Sequence, residues 1–189
     1  MTKAEIRDGF KFRGGSPALD LAATVTGRLG PAPRDLLEGP ADLDRWLVAA
    51  DLAQAAPEAT EGNLVQARSL REALYRLALS RAQGAPLPDA DRELLNGYAA
   101  LPAAPPQLDA DGRARLSGDV RGLLAELARE GVSLLGGDFG HRIRQCEGPP
   151  CAVLFVDTSR KGDRRWCSMS ACGNKAKVAG WRKREMSAP

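Results

Sequence analysis

Four cysteines, Cys146, Cys151, Cys167 and Cys172, fall into two pairs, with four residues inside each pair and fifteen between the pairs. A chain that places matched thiol pairs this close together is constrained to fold both pairs toward one point, either around a metal or as disulfides. The first fifteen residues, "MTKAEIRDGFKFRGG", carry no apolar run of a secretory signal, so a cytoplasmic location is expected, and with it reduced thiols. Metal binding is then the favoured reading. Four thiolates in tetrahedral geometry select zinc, and less often an iron–sulfur cluster; free thiols or disulfides are the bland alternative. A set of four cysteines leaves no open coordination position, so the metal would be structural.

The sequence around the cysteines supports this. "EGPP" between the first pair is turn-forming and can bring both sulfurs together. "AVLFVDTS" alternates as a strand does, "RKGDRRW" reads as a return strand after a Lys-Gly-Asp turn, and "SACGNKAKVAGWRKRE" reads as a helix starting near Cys172. Knuckle, hairpin and ligand-bearing helix make a treble-clef layout. A module of about 45 residues buries little core, so metal would supply much of its folding free energy. His141, the only histidine, is superfluous as a ligand beside four cysteines.

Charge divides the chain at the same place. Residues 1–140 carry 16 Lys/Arg and 20 Asp/Glu, a net of −4, whereas residues 141–189 carry 11 and 4, a net of +7. We therefore read two modules, 1–140 and 141–189. Arg160, Lys161, Arg164 and Arg165 flank the expected hairpin, and Lys175, Lys177, Arg182, Lys183 and Arg184 load the following helix. One or two of these balance the charge of a four-thiolate zinc centre; the others, interleaved with Trp166 and Trp181, suit contact with phosphates. The alternative is a basic helix docked on the acidic module. Trp166, beside a cysteine, is expected in the core of the finger.

The N-terminal module reads as α+β with helices dominating. "SPALDLAATVTGR" offers Ser16 as N-cap and Pro17 at the first helical position, with Leu19, Ala22, Ala23 and Val25 on one side. Leu43, Trp46, Leu47 and Ala50 stripe a second helix. Leu64, Ala67, Leu70, Leu74, Leu77 and Ala78 stripe a long one, from Thr60 to a stop at Gly84. "PDADRELLNGYAA" and "DVRGLLAELAREGVSLL" supply two more; "QLDADGRARLSG" reads as a hairpin and "GFKFRGG" as a strand. No nucleophile elbow or phosphate-binding glycine loop occurs, so no catalytic residue is assigned and an enzyme is not expected. Arg68, Arg71 and Tyr75 share one face of the long helix, where they either line a pocket for an anionic ligand or are simply paired. No apolar run reaches the length of a membrane span.

The stretch "FVDTSRKGDRRWCSMSACGN" resembles the CGNR zinc finger, a treble-clef type named for its Cys-Gly-Asn-Arg tetrad. "GGSPALDLAATV", "PADLDRWL" and "LVQARSLREALYRL" are similar to the ABATE domain that accompanies this finger in bacterial proteins. The resemblance implies zinc on Cys146, Cys151, Cys167 and Cys172, a DNA-binding finger, an N-terminal domain that binds a small ligand, and a role in stress-induced transcription regulation. It also shows two departures: Lys175 replaces the arginine of the tetrad, and Ala23 stands where an asparagine is usual.

The expectation is thus a zinc-dependent, DNA-binding transcription regulator whose N-terminal domain senses a ligand, with a homodimer as a further option. The DNA contacts would be Lys161, Arg164, Arg165, Lys175, Lys177, Arg182, Lys183 and Arg184. The alternatives are an RNA- or ribosome-associated protein, and a small-molecule-binding domain with a purely structural finger.

Overall fold

The computed structural model describes residues 5–185, with side chains described as far as Ala179. Its backbone is six α-helices and four two-stranded antiparallel hairpins among the described residues. Three hairpins serve the helical part: β1 (Ile6–Arg7) with β2 (Phe10–Lys11), β3 (Val25–Thr26) with β4 (Arg34–Asp35), and β5 (Pro106–Leu108) with β6 (Ala114–Leu116). The segment expected as one strand at "GFKFRGG" is the second arm of a hairpin that turns at Asp8 and Gly9, both at positive φ.

The long helix, α3 (Glu61–Gln83), is the axis of the core. It starts with a reciprocal cap, Asn63 N donating to Thr60 Oγ1 at 3.2 Å and Thr60 N to Asn63 Oδ1 at 3.0 Å, and it stops at Gly84 in the left-handed region (φ 66°). All six residues of its expected stripe are buried, and Arg71 with them. Helices α1 (Pro17–Ala22), α2 (Pro40–Ala49), α4 (Asp89–Ala99) and α5 (Val120–Gly136) pack around it, with Trp46, Leu43, Leu47 and Leu123 fully buried.

Helix α1 departs from the one-sided stripe expected of it: Ala18, Leu19, Asp20, Leu21 and Ala22 are all buried. It is enclosed between α3, α5 and the C-terminal region. Ser16 occupies the N-cap position but caps nothing. Its hydroxyl donates to both carboxylate oxygens of Glu130 on α5, at 2.7 and 2.9 Å, and Glu130 also accepts from Ala18 N at 3.0 Å. The cap of α1 is thus supplied from another helix, which pins α1 to α5.

After a short 3-10 turn (Gly140–Arg142), β7 (Ile143–Gln145) pairs with β8 (Leu154–Val156) in the register Ile143↔Val156, Arg144↔Phe155, Gln145↔Leu154. This corrects the expected hairpin. "AVLFVDTS" does contain a strand, but its partner lies upstream of Cys146, and residues 163–166 form no strand. The returning segment runs instead beside the first cysteine pair, tied by Glu147 N to Arg165 O at 3.0 Å and by Cys167 N to Cys146 Sγ at 3.4 Å.

Side chains alternate across a strand, so the β7–β8 hairpin has two faces. Ile143, Leu154 and Val156 join the helical core over α3. Phe155 turns the other way, into a second cluster with Ala23, Cys146, Val153 and Cys167, against which Cys151, Trp166 and Cys172 pack. Gly14 and Gly15 let α1 approach this hairpin closely. Gly14 O accepts from Val156 N at 2.8 Å, a Cβ on Gly14 would lie 2.6 Å from Leu19 Cβ, and Gly15 has φ 76°.

Candidate metal centre and its surroundings

Each cysteine reaches the centre from a different piece of backbone. Cys146 follows β7, Cys151 closes the "EGPP" turn through its N–H to Gly148 O at 2.7 Å, Cys167 ends the returning segment, and Cys172 sits in a π-helical turn (Met169–Gly173). That turn runs directly into α6 (Asn174–Glu185), as the sequence led us to expect. The four Sγ atoms all lie within 4.8 Å of one another. Cys167 Sγ is 3.8 Å from both Cys151 Sγ and Cys172 Sγ. A tetrahedron with ~2.3 Å zinc–sulfur bonds has edges of about 3.8 Å, whereas a disulfide needs about 2.05 Å. The spacing fits a metal held by four sulfurs and no disulfide.

The cradle is tight. A Cβ on Gly148 would lie 3.0 Å from Cys172 Cβ and 3.4 Å from its sulfur. Hydrogen bonds from the Cys151 and Cys167 thiols hold Cys146 far below the usual thiol range, helped by the amides of Cys167 and Gly148. The same sharing pushes Cys151 and Cys167 up. Donors aimed at a sulfur from several sides suit thiolates bound to a cation, which replaces the shared protons. The donor set of four soft sulfurs fits zinc, which would serve here as a closed structural centre. His141 is exposed in the 3-10 turn and is outside the sulfur cluster.

Hydrogen bonds behind the cysteines fix the loop between Val156 and Cys167. Asp157 is fully buried and accepts from Ser159 N at 2.9 Å and Arg164 N at 2.8 Å; burial alone would raise its carboxyl, but these bonds hold it below the usual range. Arg164 packs over Phe155, 4.8 Å from the ring centroid, and donates to the carbonyls of Trp166 and Cys167. Its guanidinium is engaged inside the finger. Arg165 is exposed, stacks on Trp166 at 5.0 Å and pairs with Glu147 at 2.6 Å. Trp166 is half-buried against the cysteine cluster. Lys161, Lys175 and Lys177 are exposed, while the side chains of Trp181, Arg182, Lys183 and Arg184 lie outside the described residues.

The face of α3 bearing Arg68, Arg71 and Tyr75 is wired to its surroundings. Arg71 donates to Asp35 Oδ1 and Oδ2 at 2.6 and 2.9 Å and to Glu72 at 2.9 Å. Arg68 donates to the Leu37 and Glu38 carbonyls. Tyr75 lies under Arg28, 4.2 Å from its ring centroid, and its hydroxyl meets the Gln145 side chain of β7. The three residues are brought together, and each polar end is held by the chain itself. Sequence spacing found the cluster but missed its partners: Arg28 and Asp35 lie outside α3, and Glu72, beside Arg71 on the helix itself, is tied to Arg28 at 2.8 Å.

Two family models match the chain. One, ABATE, is described as "Putative stress-induced transcription regulator" and matches residues 15–138; the other is the CGNR zinc finger, over residues 142–185. The chain belongs to the ABATE family. It carries a CGNR zinc finger on the four converged cysteines. No curated protein sequence matches it. No helix among the described residues is long and apolar enough to cross a membrane.

Proposed function

We propose that this ABATE–CGNR protein is a zinc-dependent, DNA-binding transcription regulator of the cytoplasm whose affinity for DNA answers to a small ligand. The observation that carries the reading is the set of exposed cations on the two elements flanking the four-sulfur centre: Lys161 and Arg165 on the loop, and Lys175 and Lys177 on α6. Zinc fixes the loop and the helix relative to each other, and the cations turn that frame toward a polyanion. Arg182, Lys183 and Arg184 extend the same charge along α6 in sequence. Arg164 belongs to the frame rather than to the contact set, because its donors already serve Trp166 and Cys167.

Contacts of this kind go mostly to phosphate. Each lysine removed should lower affinity for all sequences and reduce the slope of log affinity against log salt by about one. With four sulfurs on the metal, no coordination site opens for substrate, and we assign no catalytic residue. A homodimer would double the finger and lengthen the sequence read.

The test is selection from a random duplex pool with zinc-loaded full-length protein near physiological salt, with a matching RNA pool in parallel. Enrichment of a short duplex motif that a chelator abolishes supports the reading. Binding that ignores salt, survives chelation or favours the RNA pool overturns it.

A further inference from the structure

A cavity of about 490 Å³ opens where the helical part meets the finger, and it is distinct from the α3 face that sequence reasoning singled out. It is lined by Ala23, Val25 and Gly27 on the helical side, and on the finger side by the Pro149–Pro150 turn, Val153, Ala171 of the π-helical turn and Ala176 in the first turn of α6. Gly30 supports the turn, a Cβ there coming within 3.0 Å of Pro150. The size is that of an ordinary small-molecule site, largely apolar with a few convergent polar groups.

Those groups are Lys11, Arg13, Lys175 and Thr26, and among the described residues no carboxylate lines the cavity. Arg13 is nine-tenths buried and pairs with Glu5 at 3.2 Å; Lys11 and Lys175 pair with no carboxylate among the described residues. Cys151 and Cys172 also line the cavity, and zinc thiolates there bring negative charge that the cations partly offset. Each lysine ammonium carries three donors and pairs with no carboxylate among the described residues, so both keep hydrogen-bonding capacity for an occupant. Two features place the cavity at a junction. Ala23 belongs at once to the cavity wall and to the buried cluster around the sulfurs, and Lys175 is the first-turn residue of the helix we assign to DNA.

We infer that this cavity is the ligand site of the protein, and that it takes a small organic acid: an apolar body against Ala23, Val25, Pro150 and Ala176, with one anionic group held between Lys11 and Lys175. The inference deepens the ligand-sensing half of the proposed function and rests on it. Ala23 supplies the room: an asparagine side chain at that position would project into the space the apolar body occupies. Lys175 ties occupancy to α6, because a lysine holding a bound carboxylate is withdrawn from phosphate.

The test uses zinc-loaded full-length protein without DNA, so that its failure is separate from any failure of DNA binding. Benzoate, benzamide and inorganic phosphate are titrated while backbone amide shifts are followed by NMR. Benzoate is expected to move the amides of Ala23, Val25, Gly27 and Val153 in a saturable way, with benzamide and phosphate each about tenfold weaker or more. The double variant Lys11→Gln/Lys175→Gln, which spares the Arg13–Glu5 pair, should bind benzoate about tenfold more weakly while keeping its zinc and its remaining spectrum. Ala23→Asn should block benzoate, and if that variant fails to fold the lysine pair still decides. Shifts elsewhere only, equal response to benzamide, or a double variant that binds as well as the wild type would overturn the assignment.

Discussion

Arg164 and Lys177 carry the same charge and do different work. Arg164 closes the loop behind the second cysteine pair, stacked on Phe155 and bonded to two carbonyls, whereas Lys177 stands exposed on α6. Arg164→Ala should therefore weaken zinc retention in a competition with a chromophoric chelator and lower thermal stability. Lys177→Gln should leave both unchanged and lower duplex affinity a fewfold, with the salt slope reduced by about one. Asp20 offers a second test at this scale. Burial is the dominant influence and raises its carboxyl to about 7, against the opposing bond from Gly14 N. A carboxyl whose folded value is raised favours the folded state while protonated, so that contribution is present at low pH and is lost as pH rises through about 7. Asp20→Asn keeps the acceptor for Gly14 and removes the charge. Because the unfolded carboxyl titrates near 3.8, the substitution should change stability little at pH 3.5, raise it progressively as pH climbs to about 7, and raise it by several kcal/mol at pH 8.5, measured by denaturant melts of mutant and wild type at each pH.

At the scale of elements, what was legible in the sequence depended on whether the deciding contacts were local. Thr60, Asn63 and Gly84 fix the two ends of α3 within a few residues of themselves, and those ends were readable. The strand at Leu154–Val156 was readable from alternation, but its partner was not: "IRQ" is three residues long with two of them polar, and pairing is a tertiary event. The glycines at 14 and 15 were visible only as a motif; their reason, the approach of α1 to β8, lies about 140 residues further along the chain. The cysteine spacing was the strongest signal, since a metal centre needs few residue types at fixed intervals. Arg71 is the converse case. On a helix it reads as a polar face, and only the fold shows it buried on Asp35 and Glu72. Arg71→Ala should destabilise the protein by roughly 3 kcal/mol in denaturant melts, because half-buried Asp35 loses its bidentate partner and keeps only Arg68 at 3.6 Å, while Glu72 keeps Arg28. Gly14→Ala should cost about 1–3 kcal/mol by the same measurement, since the added methyl overlaps Leu19.

At the scale of the whole molecule, the boundary drawn by charge near residue 140 is crossed by packing. Ile143, Leu154 and Val156 complete the core over α3, and burying each contributes roughly 1.5–3 kcal/mol. A chain cut to residues 1–140 should accordingly lose several kcal/mol of stability and bind a hydrophobic dye, which calorimetry and dye fluorescence would show. Ser168 adds a further tie across the boundary, donating to Glu5 at 2.8 Å. Chelation should reach past the finger for the same reason. Hydrogen exchange is expected to quicken in β7 and β8 first, and then at the α3 residues they cover.

The two-faced hairpin also bears on exchange of parts between relatives. A finger moved into a new protein as residues 142–185 alone would arrive with one side of its hairpin bare, and its recipient would keep a hole of matching shape. A graft that is to fold must bring the Gly14–Gly15 step and Ala23 along with the cysteines, so the heritable unit here is the seam and both of its banks.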